Sequence, residues 1–246
     1  MESLTIHPIP LFIVAAKHDK PRMTYLFYFG EDVQVCCYVW YIEGAGENIL
    51  VDTGGTAETV VARGRPREWI THVQSLEEGL AKYQLKPGDI DTVIVTHLHW
   101  DHVELARKFV NARFIVQEDE LNVVNNPDFA DPGCEKDYLE GLNLEVVKGD
   151  TQITRGVKVL LTPGHSAGGQ SVAIETEKGI AVIAGFCCIR ENFEPSEEIR
   201  KKTPFILPGI HVDAQQAHDS MLKVIQAADI IIPLHDPEFA HTDRIP

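Results

Sequence analysis

The chain contains no apolar run approaching the roughly 20 residues that cross a bilayer, so no membrane partner is expected. It is also short of basic residues. There are 22 Lys and Arg against 37 Asp and Glu, for a formal net charge of −15. Proteins that grip nucleic acid by its phosphates need a basic surface, so no nucleic-acid partner is expected either. Cysteines are few: the adjacent pairs Cys36-Cys37 and Cys187-Cys188, and Cys134. An odd count without a spaced framework argues against a disulfide scaffold and for a reducing cytoplasm. The stretch Met1 to His7 lacks the basic region and cleavage site of a secretory signal. Low-complexity tracts and an evident linker are missing too. Residues 1–246 are therefore read as a single domain, and 44% hydrophobic content is ordinary for a globular core.

Against this plain background one segment stands out. Residues 97 to 102 read His97-Leu98-His99-Trp100-Asp101-His102. Buried imidazoles and carboxylates need partners, and packing alone gives no reason to concentrate them. Nitrogen and oxygen donors of this kind suit zinc, with Mn, Fe or Co compatible. If His97 and His99 continue a strand, their side chains point the same way and can grip one ion. Asp101 and His102 follow where the chain turns and can face a second.

The segment before the cluster, Asp91 to Thr96, is a β-branched run that reads as a buried strand. The same design recurs. Gly156 to Leu161 leads into Thr162-Pro163-Gly164-His165. Gly179 to Ala184 leads into Gly185-Phe186-Cys187-Cys188. Asp229 to Ile232 leads into Pro233-Leu234-His235-Asp236, and Asn48 to Val51 into Asp52-Thr53-Gly54-Gly55. Polar residues at the ends of apolar strands are how α/β proteins build sites. Between the ligand strands, Glu68 to Ile70 and Ser75 to Tyr83 suggest a helix, with Ser75 as its cap and Glu78 three residues on. Ala214 to Ile225 suggests another. The acidic clusters Glu31-Asp32 and Glu118-Asp119-Glu120 read as solvated faces or helix starts.

The motifs Val51-Asp52-Thr53-Gly54, His97 to His102, Thr162 to Ser166 and Leu234-His235-Asp236 agree in order and spacing with one family. The chain resembles the metallo-β-lactamase fold superfamily, and within it the N-acyl-homoserine lactonase branch. The branch cues are Pro163 to Ser171 and Glu191-Asn192-Phe193-Glu194. The resemblance implies an α/β fold, a four-layer αβ/βα sandwich of two mixed sheets flanked by helices. It implies that His97, His99 and His165 hold one metal ion, and that Asp101, His102 and His235 hold another. Asp52 would hydrogen-bond the ligands and fix their orientation, as metal sites generally require.

One departure matters. Members of the family usually bridge the two ions with an aspartate at the end of the third strand. Here that stretch is Ile183-Ala184-Gly185-Phe186-Cys187-Cys188, so Gly185 or Phe186 occupies the position. Two dications about 3.5–4 Å apart repel, and anionic ligands offset that repulsion. Weaker occupancy of one site, or a changed metal preference, is expected, so one or two ions are held. Cys187 or Cys188 is a conceivable substitute ligand, but a buried apolar role suits both better. Tyr25, Phe27, Tyr28, Phe29, Trp100 and Phe186 are candidates to line an apolar pocket, with core packing as the alternative for the first four. His7, His18, His72, His211, His218 and His241 have no supporting motif.

These features lead to a metal-dependent hydrolase with a small-molecule substrate, opening a lactone or similar cyclic ester with metal-activated water. Asp101 is the carboxylate best placed to orient the nucleophile or pass a proton. The alternatives are a thioester hydrolase of the glyoxalase II type and a metal-binding protein whose catalysis is weak or lost. The resemblance also implies a homodimer.

Overall fold

A computed structural model describes residues 3–126, 133–134 and 136–246. Its strands are β1 (Thr5–Ala16), β2 (Val33–Glu43), β3 (Ile49–Val51), β4 (Ile70–His72), β5 (Thr92–Ile94), β6 (Arg113–Gln117), β7 (Asn143–Val147), β8 (Thr151–Thr154), β9 (Val157–Leu161), β10 (Gln170–Thr176), β11 (Gly179–Ala184) and β12 (Ile230–Pro233). They form a seven-stranded sheet ordered β4-β1-β2-β3-β5-β6-β7 and a five-stranded sheet ordered β12-β11-β10-β9-β8. Both sheets are mixed. Strands β3, β5, β6 and β7 run parallel, and so do β11 and β12, while the other pairs are antiparallel.

The alternation of β2 shows how the layers form. Cys36, Tyr38, Trp40 and Ile42 enter the core shared by the two sheets, packing with Val159, Val172, Ile174 and Ile183. Cys37, Val39 and Tyr41 enter the other core, between the seven-stranded sheet and the helices outside it. A side-chain period of two on a strand buried on both faces serves two cores at once.

The helices are short apart from one. They are α1 (Ala57–Ala62), α2 (Leu76–Ala81), α3 (Trp100–Val103), α4 (Glu118–Val124), α5 (Arg190–Phe193), α6 (Glu197–Arg200) and α7 (Ala214–Ala227). Asp213 caps α7 by accepting from the Gln216 amide. Ser75 and Glu78 form the expected capping box. Of the stretches expected to be helical, Ser75 to Tyr83 supplies α2, and Glu68 to Ile70 does not form a helix of that kind. Residues 67–69 make a single 3-10 turn, and Ile70 goes into β4, which pairs with the middle of β1. Pairing an otherwise open sheet edge outweighed the local helical pattern.

Candidate metal centre

The expected donors lie at the ends of strands. β5 ends at Ile94, the chain bends at Thr96, and His99 adopts φ −68°, ψ 147° before α3 begins. His97 and His99 lie on one side, their ring centroids 4.6 Å apart. Asp101 and His102 sit in the first turn of α3. The loop after β9 brings in His165, and the segment after β12 brings in His235.

Two triads result. One donor atom from each of His97, His99 and His165 lies within 4.8 Å of the others, and the same holds for Asp101, His102 and His235. All the imidazoles are buried.

The rings of His97, His102, His165 and His235 are held from behind. Nδ1 of His97 meets Thr96 Oγ1 at 3.0 Å, and Nδ1 of His165 meets the Ile210 carbonyl at 2.7 Å. Nδ1 of His235 meets the Cys36 carbonyl at 3.1 Å, and Nδ1 of His102 meets Asp52 Oδ2 at 2.7 Å. This fixes Nε2 as the nitrogen left for the cleft. Nε2 of His97 and Nε2 of His165 face each other at 3.1 Å, and the buried Nε2 of His102 has no hydrogen-bond partner. Facing imidazole nitrogens and an orphaned buried one are what a donor set presents to a cation, so these residues fit a metal such as zinc.

Asp52 is fully buried and accepts three hydrogen bonds, from the Thr96 amide, the Thr96 hydroxyl and His102. Its φ of 61° is the left-handed region, which Asp tolerates better than most residues. Thr53 next to it donates its amide and hydroxyl to the His102 carbonyl.

The electrostatics follow from burial and neighbours. Burial and the surrounding imidazoles hold His97 and His165 well below the ordinary imidazole range. Burial also lowers His235, with the His102 ring adding to it. Burial opposes ionisation of both Asp101 and His102, but each supports the other's charge. Asp101 ends below its usual value and His102 above.

The matches to known proteins agree with this geometry. Residues 35–185 match the family model of the metallo-beta-lactamase superfamily. The chain belongs to the metallo-beta-lactamase superfamily. An N-acyl homoserine lactonase from a Bacillus species is 32% identical over 174 residues, covering 66% of this chain and 68% of that protein. The crystal structure of a quorum-quenching N-acyl homoserine lactone lactonase superposes with a TM-score of 0.74 at 26% identity, covering 98% of this chain and 96% of that one. A lactone hydrolase solved with N-hexanoyl-L-homoserine, its product, at the catalytic metal centre superposes with a TM-score of 0.73 at 27% identity, covering 97% and 95%.

The departure from the superfamily's usual bridging aspartate is built into the backbone. A Cβ on Gly185 would lie 1.7 Å from the Gln170 carbonyl oxygen, and the Gly185 amide donates to Ser171 Oγ at 3.0 Å. No side chain fits there unless β10 moves. Phe186 is not beside the cleft, contrary to expectation. It is 2% exposed in the core between the sheets, its ring centroid 6.1 Å from that of Phe193. The residue that turns to the cleft is Cys187, whose Sγ lies 3.4 Å from Met23 Sδ and which belongs to neither triad. Burial pushes its thiol up to about 12, so it stays protonated at neutral pH. Cys188 is buried in the core between the sheets.

The cleft over the triads has a volume of about 580 Å³. Trp100 lines it as expected. Tyr25, Phe27, Tyr28 and Phe29 are not among its described lining residues, and Tyr25 and Phe29 face outward. His211 packs on Tyr25, outside the described lining.

Sequence reasoning missed Glu120. The acidic cluster read as a solvated face or a helix start does begin α4, but Glu120 within it is 2% exposed and accepts from the Leu98 amide at 2.9 Å and the Gly168 amide at 2.7 Å. Burial raises its carboxyl, partly opposed by these two amides. Glu120 thereby ties the strand end carrying His97 and His99 to the loop carrying His165. Its position at the end of a strand, after Ile115-Val116-Gln117, was the available signal.

Proposed function

We propose that the chain is a single-domain, metal-dependent hydrolase, spanning residues 1–246, that opens lactones or similar cyclic esters. The observation that carries this reading is the convergence of six donors from three separate strand ends onto one cleft. In this reading His97, His99 and His165 hold one ion, and Asp101, His102 and His235 hold the other. Zinc is the metal assigned, because imidazole and carboxylate in sets of three suit it. The bound ions supply Lewis acidity, which makes water acidic enough to ionise near neutral pH and polarises a carbonyl.

The protein groups supply the rest. Asp101 is the catalytic carboxylate. Its Oδ2 lies 3.5 Å from His102 Nε2 and 4.0 Å from His235 Nε2, and these rings keep it ionised. An ionised carboxylate there accepts a proton from the attacking water and returns it to the departing alkoxide. The water oxygen bonds to the carbonyl carbon, the ring C–O bond breaks, and a hydroxy acid leaves. Asp52 and Glu120 hold the ligand-bearing segments in place throughout.

The test is turnover of N-acyl homoserine lactones and of thioesters by the zinc-loaded protein and by His97→Ala. Lactone hydrolysis that collapses in the variant supports the reading. Preference for thioesters transfers the chain to the thioesterase alternative, and tight zinc binding without turnover of either class defeats the enzyme reading. Among the described residues no helix is long and apolar enough to cross a membrane, and the cysteines there are free thiols. Free thiols are what a reducing cytoplasm maintains, and a cytoplasmic location is proposed on that ground. A homodimer is also proposed, with exposed Tyr25, Leu26 and Phe29 as the apolar surface it would cover. A monomeric mass by light scattering would dispose of it.

A further inference from the structure

The triads account for the floor of the cleft but not for its mouth. The mouth is flanked by the turn at Lys20–Arg22 and by Arg63-Gly64-Arg65, which follows α1. Three of the chain's ten arginines line this one cavity, in a protein carrying 37 acidic side chains. Apart from Asp101 on the floor, Asp19 is the one acidic residue among the described lining residues. Its Oδ2 is shared, lying 2.5 Å from Arg65 Nη2 and 3.7 Å from Arg22 Nε. One carboxylate therefore serves two guanidiniums, and Arg22 keeps a side chain 56% exposed.

The guanidiniums are also positioned. Arg63 lies over the Trp100 ring, 5.3 Å from its centroid, and Trp100 lines the same cavity. The charge of Arg22 reaches the Cys187 thiol on the cleft wall, where it partly opposes the effect of burial. The same cavity is lined by the apolar side chains of Phe12, Val14, Val35 and Val60.

We propose that the substrate carries an anionic group, a carboxylate or phosphate, at the far end of an apolar stem, and that Arg22 and Arg65 grip it. Guanidinium forks match such oxyanions with two parallel hydrogen bonds, and an apolar wall suits an alkyl or aryl stem. The proposal rests on the hydrolase reading and deepens it by naming the substrate class.

The test uses zinc-loaded protein and pairs of lactones of equal chain length, ending in a methyl group, a carboxylate or a phosphate. The expected result is that wild type prefers an anionic member about tenfold or more in kcat/KM. Arg22→Gln raises KM for the anionic member about tenfold relative to the neutral one, with kcat held, and Arg22→Lys restores part of the loss. Whichever of carboxylate and phosphate shows the larger effect identifies the source of the anion. Equal kcat/KM for neutral and anionic members in wild type, or equal KM changes in Arg22→Gln, overturns the proposal. If wild type turns over neither member, the hydrolase reading fails. Calorimetric titration of octanoate and octyl phosphate into wild type and Arg22→Gln then decides the clamp separately. Binding that weakens in the variant supports it, and no binding, or equal binding, refutes it.

Discussion

The two triads share a cleft but sit in different electrostatic surroundings. His97, His99 and His165 are three neutral donors, and a cation there meets no direct countercharge. Asp101, His102 and His235 include a carboxylate, and Asp52 stands directly behind His102. In the superfamily's usual arrangement a shared aspartate evens out such a difference, and here Gly185 leaves no space for one. Negative charge is thus concentrated on one side, and the two sites should differ in affinity. The carboxylate-bearing triad should fill first, since a charged donor offsets the cost of dehydrating and confining a dication.

The largest effect is expected at the triads. His97→Ala should lower lactone turnover by a factor of about a thousand or more and cost one ion by elemental analysis. Asp101→Asn should cost the other ion. If the ion kept by His97→Ala is bound no more tightly than the ion kept by Asp101→Asn, the difference between the triads is not real. Next comes Asp52→Asn. Asn suits the left-handed backbone at this position, so folding should survive, while zinc affinity should fall about 10- to 100-fold, as for other partners standing behind metal ligands. A competitive chelator titration measures this, and unchanged affinity would show that Asp52 only shapes the turn.

Glu120→Gln should be smaller. It leaves one of two buried amides facing an NH2 group and without an acceptor, at about 1–3 kcal/mol of stability, and thermal unfolding with and without zinc reads it. Because Glu120 links segments from both halves of the neutral triad, the loss of zinc affinity should be confined to that triad.

Acid should separate the metal-free from the zinc-loaded protein. His97, His165 and His235 titrate below their ordinary value of 6.5 when folded. In the unfolded chain they take up protons first as pH falls through that value, so the metal-free fold loses stability below it. His102 has the opposite sign, favouring the fold at low pH, and offsets part of the loss. The midpoint of urea unfolding in chelator should fall between pH 7.5 and 5.5, and a flat midpoint would contradict the burial of neutral imidazoles. Phe186→Leu should have the smallest effect, about 1 kcal/mol of stability with KM unchanged. A changed KM would bring that ring back to the cleft.

His97, His99, Asp101 and His102 were legible because their chemistry has no other use at that density, and His165 and His235 through the family resemblance, each after an apolar strand. Asp52 was legible through the same resemblance, as a carboxylate standing behind the ligands. What escaped depended on the third dimension. Glu120 looks like its exposed neighbours, and only the approach of Leu98 and Gly168 buries it. Phe186 and Cys187 are adjacent, and sequence alone does not say which one turns to the cleft. The backbone contact of Gly185 with β10 decides it. The mouth arginines were invisible as a group because Arg22, in the turn after β1, and the segment after α1 are about forty residues apart and meet only over the cleft.

The most direct test is anomalous scattering at the zinc edge from crystals grown with limiting and with saturating zinc. The account predicts one peak among Asp101, His102 and His235 at limiting zinc, joined at saturation by a second among His97, His99 and His165. Absence of any peak at the cleft under saturating zinc would contradict it.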